Sequence, residues 1–250
     1  IAATAAAGKQ FGFKTIGIIR GEEHLPLNNT LQDAIQNGME IYYLDRSTYR
    51  EKHTSKVLEQ LENQFGDIYI IPEGGTNDLA IKGTQEIINY IPQNTDIICC
   101  PIGTGGTISG IISSTKNSVL GFSALKGDFV EKMVSDLMPK TYVNWKVNSD
   151  YHFGGFAKTK PKLIDFINKF YEYTEIPLEQ IYTGKMMFGI LDLIKNDYIE
   201  LALDYFAKDS ELMMIDFNAE VIDENGINKG LFRQLPFKEK IYTIQDYLNV

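Results

Sequence analysis

Short apolar runs alternate with amphipathic stretches over most of this chain. Residues 14–20 (KTIGIIR), 40–44, 67–71, 97–101 and 119–122 are runs of four to seven residues rich in β-branched and aromatic side chains, which predicts buried strands. Between them, 29–37 (closed by Gly38), 47–65 (closed by Gly66), 107–115 and 129–137 read as helices, and the alanine-rich 2–10 as another. Residues 76–91 read as a loop leading into a helix. Strand–helix alternation of this kind predicts an α/β fold with parallel strands covered by helices on both faces. From about residue 144 the texture changes. Residues 151–157 form an aromatic-glycine loop, and 160–173 an amphipathic helix with Leu163, Phe166, Ile167 and Phe170 on one stripe. A helix opens at Ile181 and continues to Ile194, another spans 199–206, and 211–215 is a short strand before an irregular tail.

The densest chemistry lies where the strand at 97–101 meets the helix at 107–115. The residues between are Gly103, Thr104, Gly105, Gly106 and Thr107. A glycine turn between strand and helix lets several backbone N–H groups converge on one anion, and the helix N-terminus adds a favourable dipole. A second turn, Pro72-Glu-Gly-Gly-Thr-Asn77, follows the apolar run at 67–71. Ligands of parallel sheets bind beyond the carboxyl ends of strands, so the two turns are expected to frame one cleft. Each is also compatible with a plain tight connection.

Composition removes several classes. The formal net charge is −9, which argues against a broad nucleic-acid surface or a polybasic membrane patch. No apolar run approaches the roughly 20 residues of a membrane-spanning helix. The two cysteines, Cys99 and Cys100, are adjacent and point to opposite faces of a strand, so they read as buried hydrophobes of a reducing, cytoplasmic protein. The three histidines, at 24, 53 and 152, lack metal-ligand spacing, and no metal site is expected. His152 reads as a structural histidine. An unrelated α/β nucleotide binder would need a ribose-binding acid at the end of the next strand, about 20 residues beyond its glycine loop, and the run at 119–122 ends without one.

Four segments, in order, resemble the pyridoxal-phosphate enzymes grouped as 1-aminocyclopropane-1-carboxylate deaminase and D-cysteine desulfhydrase. Residues 1–8 (IAATAAAG) resemble the helix after the family's Ser-Asn-His motif. Ile71-Pro-Glu-Gly-Gly-Thr-Asn77 resembles its Ile-Pro-x-Gly-Gly-Ser/Thr-Asn segment. Gly103-Thr-Gly-Gly-Thr107 resembles its phosphate-binding loop, and Ile181-Tyr-Thr-Gly-Lys-Met186 its Val/Ile-Tyr-Thr/Glu-Gly-Lys-x segment. The resemblance implies a tryptophan-synthase-β-like fold (fold type II) with two interleaved subdomains. Residues 1–45 would belong to the smaller, 46–215 to the cofactor-binding part, and 216–250 to a divergent tail. It also implies a homodimer and a small amino-acid substrate.

By the same resemblance, Gly103, Thr104, Gly105, Gly106 and Thr107 would hold the 5′-phosphate of pyridoxal 5′-phosphate, and Thr183 would face its pyridine nitrogen. A neutral hydroxyl there, in place of the glutamate of the deaminase proper, favours a desulfhydrase-like elimination. Tyr182 would act in proton transfer, or merely pack at the helix start. Thr183 equally suits a helix N-cap. Thr76 and Asn77 would contact substrate, or close a turn. The family's Schiff-base lysine precedes the Ser-Asn-His motif and is therefore expected upstream of Ile1. Lys185 belongs to a different motif and does not match it. A His-Thr-Gly-Gly-like turn expected after 211–215 is replaced by Asp216-Phe-Asn-Ala219. Either the lyase is completed by an upstream segment, or the chain is a degenerate homologue that binds a phosphate or amino acid without catalysis.

Overall fold

The computed structural model describes residues 1–195, 213–215 and 232–234, and divides the chain into two compact units, Ile1–Ile70 and Ile71 onward.

In the first unit, α1 (Ala2–Phe11) ends at Gly12, whose φ of 75° lets its N–H return to the Gly8 carbonyl. β1 (Ile16–Arg20), α2 (Asn29–Gln36) and β2 (Glu40–Leu44) follow, and the two strands pair in parallel with Ile16 opposite Glu40. The Asn28 side chain caps α2 by accepting from the Leu31 N–H. The helix expected over 47–65 is instead two, α3 (Arg46–Arg50) and α4 (Ser55–Phe65). Asp45 starts the first by accepting the Ser47 and Thr48 N–H groups. The second restarts after a turn in which the Thr54 N–H and hydroxyl both reach the Glu51 carbonyl. Ala5, Ala34 and Met39 make one small core, and Leu44, Val57 and Leu61 another. The strand expected at 67–71 does not form: the segment joins no sheet among the described residues, and Ile71 is 51% exposed.

The second unit opens with a tight 3-10 turn, Glu73–Gly75, then α5 (Asp78–Thr84) and a second 3-10 segment, Gln85–Tyr90. β3 (Ile97–Ile102), α6 (Gly106–Ser114), β4 (Ser118–Ser123), α7 (Val130–Asp136), β5 (Trp145–Asn148), α8 (Pro161–Thr174) and α9 (Thr183–Lys195) follow. β3, β4 and β5 form a parallel sheet in sequence order, Ile97 opposite Ser118 and Val119 opposite Trp145. β5 was not expected, because Trp-Lys-Val-Asn carries no apolar run. The strand at the end of the described chain is β6 (Met213–Ile215), antiparallel to β7 (Phe232–Gln234) within the tail read as irregular. The helix expected over 199–206 lies outside the described residues.

Both faces of β3 are buried, as its sequence implies. Ile98, Cys100 and Ile102 pack with Ile108, Ile111 and Ile112 of α6, while Cys99 faces Phe122, Leu163, Phe166 and Met186 on the other side. Each fully buried isoleucine is worth about 1.5–3 kcal/mol of apolar burial. Gly110 sets the approach of α5 to α6, since a Cβ there would lie 2.1 Å from Thr84 Oγ1. The result holds the N-terminus of α6 rigidly at the carboxyl end of β3.

Candidate functional site

Gly105 turns the chain between β3 and α6, with φ 87° in the left-handed region, and no side chain caps the helix it precedes. The first N–H groups of any helix lack intrahelical partners, so the backbone amides at Gly106 and Thr107 are donors looking for an acceptor. Thr107 is half-buried beside them. This donor set of convergent amides with one adjacent hydroxyl suits a phosphate.

The second glycine turn lies directly against the first. Gly74, at φ 75°, lacks the Cβ that would otherwise stand 2.4 Å from Thr104 Cγ2. A Cβ on Gly106 would stand 2.8 Å from Thr76 Oγ1. The hydroxyls of Thr76 and Thr104 are themselves 2.5 Å apart. Thr104 is thereby engaged with Thr76. Asn77 is committed locally as well, its Oδ1 accepting from the Ala80 N–H at 2.8 Å to cap α5.

α9 brings the third element. Tyr182 lies against Gly103, where a Cβ would sit 3.0 Å from the phenol oxygen. Burial, with the charges of Glu179 and Glu73 behind it, raises the Tyr182 pKa, so the phenol is neutral at physiological pH. Thr183 is 1% exposed. Its hydroxyl accepts from the Glu179 N–H at 3.1 Å, while the Glu179 carboxylate accepts from the amides of Ile181 at 2.5 Å, Thr183 at 2.6 Å, and Tyr182. The reciprocal cap satisfies the start of α9 and fixes both side chains.

Of the residues expected from sequence, Thr76, the loop 103–106 and Tyr182 converge at one place. Sequence reading missed Glu179, although a carboxylate four positions before Thr183 is a capping signal. Lys185, no match for the Schiff-base lysine, is 2% exposed and donates from Nζ to the Gly155 carbonyl at 2.9 Å. Burial lowers its pKa, and the charge of Glu179 opposes that fall. In the 151–157 loop, the Tyr151 hydroxyl donates to Asp192 at 3.0 Å, and His152 Nδ1 accepts from the Gly154 N–H, a local structural bond. Among the described residues, no group of His, Cys, Asp and Glu is placed to hold a metal, and no helix is long and apolar enough to cross a membrane.

Over 213 residues the chain is 29% identical to a protein of Pyrococcus abyssi named as a putative 1-aminocyclopropane-1-carboxylate deaminase, covering 77% of this chain and 64% of that one. A solved homologue of 1-aminocyclopropane-1-carboxylate deaminase, 26% identical, superposes with a TM-score of 0.62 over 76% of this chain and 64% of its own. The chain is a homologue of these proteins. Over 208 residues this homologue is also 28% identical to the mitochondrial bifunctional D-cysteine desulfhydrase/1-aminocyclopropane-1-carboxylate deaminase of Arabidopsis thaliana, covering 74% of itself and 52% of that protein. An O-ureido-L-serine synthase at 11% identity, covering 77% of this chain and 63% of its own, superposes with a TM-score of 0.52 and shares the fold alone. The fold is tryptophan-synthase-β-like, fold type II. The homologue spans just under two-thirds of the length of the Pyrococcus relative. No family model matches it.

Proposed function

We propose that this homologue forms the phosphate- and substrate-binding part of a pyridoxal-phosphate-dependent lyase or deaminase acting on a small amino acid. Of the two chemistries borne by its relatives, D-cysteine desulfhydration is the better match. The observation that carries the reading is the placement of Tyr182 against Gly103, at the uncapped start of α6. The reactive lysine is assigned to a segment upstream of Ile1, and the assembled protein to a homodimer.

The donor set fits the cofactor. The amides at Gly106 and Thr107, with the Thr107 hydroxyl, would hold its phosphate, and the dipole of α6 favours that charge. Gly103 and Gly105 would shape the turn that presents those amides, and Thr104 would brace it from Thr76. Bound there, pyridoxal phosphate would supply an electron sink for bond cleavage at the substrate Cα.

Thr183 supports the choice of chemistry. By resemblance it faces the pyridine nitrogen; its buried oxygen accepts from the Glu179 N–H, and its hydroxyl proton would be the one donated to the ring. Such a donor pairs with an unprotonated pyridine nitrogen, and a neutral ring suits expulsion of a good leaving group such as sulfide. Tyr182, kept neutral by burial and two carboxylates, would give a proton or a hydrogen bond. Thr76, with Asn77 beside it, would border the substrate.

The test uses the full-length cellular protein. It is loaded with pyridoxal phosphate, reduced with borohydride and mapped by mass spectrometry. A pyridoxyl label on a lysine upstream of Ile1, with sulfide released from D-cysteine, is expected. Failure of the full-length protein to take any covalent label overturns the proposal in favour of a non-catalytic homologue. In the Thr183→Glu variant the absorption of the bound cofactor should shift to that of a protonated ring.

A further inference from the structure

Lys185 is the one buried cation of the second unit's described core, and the proposed chemistry gives it no task. Burying an ammonium is costly unless it meets an acceptor, so the acceptor is informative. That acceptor, the Gly155 carbonyl, lies 30 positions away in the aromatic-glycine loop and also receives the Lys158 N–H at 3.1 Å.

The loop has an unusual backbone. Phe153 (φ 53°), Gly154 (108°), Gly155 (107°) and Ala157 (54°) all lie at positive φ, and two of these are not glycine. Such conformations persist where the surroundings hold them. The loop is held to α9 by the Lys185 bond to Gly155, by the Tyr151 hydroxyl on Asp192 and by the Phe153 ring against Phe188. Its Phe156 ring, 55% exposed, has its centroid 6.1 Å from that of Tyr182, the residue just before α9. Tyr182 is in turn the side chain that touches Gly103.

We propose that Lys185 is a positioning residue: by holding the Gly155 carbonyl it fixes the 151–157 loop so that Phe156 keeps the Tyr182 phenol over the glycine loop. This rests on the function proposed above. A lysine suits the task because its long stem spans a buried gap and its amine donates whether charged or neutral. A purely structural lysine would stabilise the unit without any path through Phe156.

Full-length holoprotein carrying Lys185→Met, Phe156→Ala, both changes, or Phe156→Tyr is compared with wild type, using D-cysteine as substrate. Either single loss should lower kcat about tenfold or more while cofactor affinity changes less than about threefold. The double variant should be no slower than Lys185→Met, since both act through Tyr182. Phe156→Tyr, which keeps a ring, should recover most of what Phe156→Ala loses. Amide hydrogen exchange over 151–157 should rise in Lys185→Met and stay at the wild-type level in Phe156→Tyr. Multiplicative losses in the double variant, or unaltered exchange in Lys185→Met, overturn the proposal. If Lys185→Met does not fold, the Phe156 pair decides, and equal kcat in wild type and Phe156→Ala refutes it. A wild-type protein that takes no cofactor label sinks the parent function instead, and the exchange measurement still reports whether Lys185 holds the loop.

Discussion

Thr76 and Thr104 interlock: their hydroxyls meet at 2.5 Å, and each side chain fills the space beside a glycine of the other's turn. Thr76 occupies the room a Cβ on Gly106 would need, and Thr104 the room beside Gly74. The two turns therefore rise and fall together. Gly74→Ala, which adds a 2.4 Å clash to a left-handed backbone, should cost about 2–4 kcal/mol by strain and overpacking together. Thermal unfolding checks this. A double-mutant cycle on Thr76→Ala and Thr104→Ala should return a coupling of about 0.5–1.5 kcal/mol. No coupling would show that the turns are independent.

Gly105→Val should uncouple phosphate recognition from the rest of the site. Valine disfavours φ 87°, and its Cβ would lie 3.1 Å from Leu137 Cδ1 and 3.2 Å from Val134 Cγ2. Comparing pyridoxal phosphate with pyridoxal isolates the phosphate contribution. Wild-type full-length protein should prefer the phosphate form by at least about tenfold, and the variant should lose most of that preference, roughly the worth of one or two charge-assisted hydrogen bonds. Retained preference would mean that the loop is only a connection.

Glu179→Gln tests the cap on α9 and the electrostatics of Tyr182 at once. Losing the carboxylate that gathers three amides should cost about 1–2 kcal/mol in thermal stability. The same charge helps to raise the Tyr182 pKa, so its removal should bring the phenol back toward its ordinary value. The neutral phenol persists below its pKa and is lost above it. The alkaline fall in kcat should consequently begin at lower pH in the variant. An unchanged alkaline limb would assign that limb to another group.

Cys99 and Cys100 should be inert in the native protein. Burial pushes both thiols up to about 12, with each side chain in an opposite core of the sheet. Iodoacetamide at pH 8 followed by peptide mapping should leave both unmodified under native conditions and label both in denaturant. Fast native labelling of either would mean that β3 opens far more readily than its packing implies.

The sheet and the glycine turn at its carboxyl edge were legible because the signals there are local and redundant. The apolar run at 97–101 precedes glycines that nothing but a turn would place together, and α8 shows its buried stripe of Leu163, Phe166 and Phe170 directly in the periodicity. Other elements depend on contacts that periodicity does not encode. β5 is only Trp-Lys-Val-Asn and exists because β4 offers it a parallel edge. The apolar run at 67–71 has the composition of a strand but joins no sheet among the described residues. A single charged helix over 47–65 fits the hydrophobic pattern, yet the turn from Glu51 to Thr54 breaks it in two. At the site, glycines and threonines stood out as residue types. The work of Glu179 and Lys185 did not: Glu179 is a local cap hidden among ordinary loop residues, while Lys185 is distinguished only by a distant partner, the carbonyl of residue 155.

The self-sealed start of α9 has a consequence for how charge is read at this edge. Glu179 is an internal counter-anion: it consumes the positive end of α9 before any solute arrives. α6 begins on glycine and carries no such guard. Of these two helix poles, one is thus silenced and one left open, so an anionic group would be drawn to the start of α6 alone.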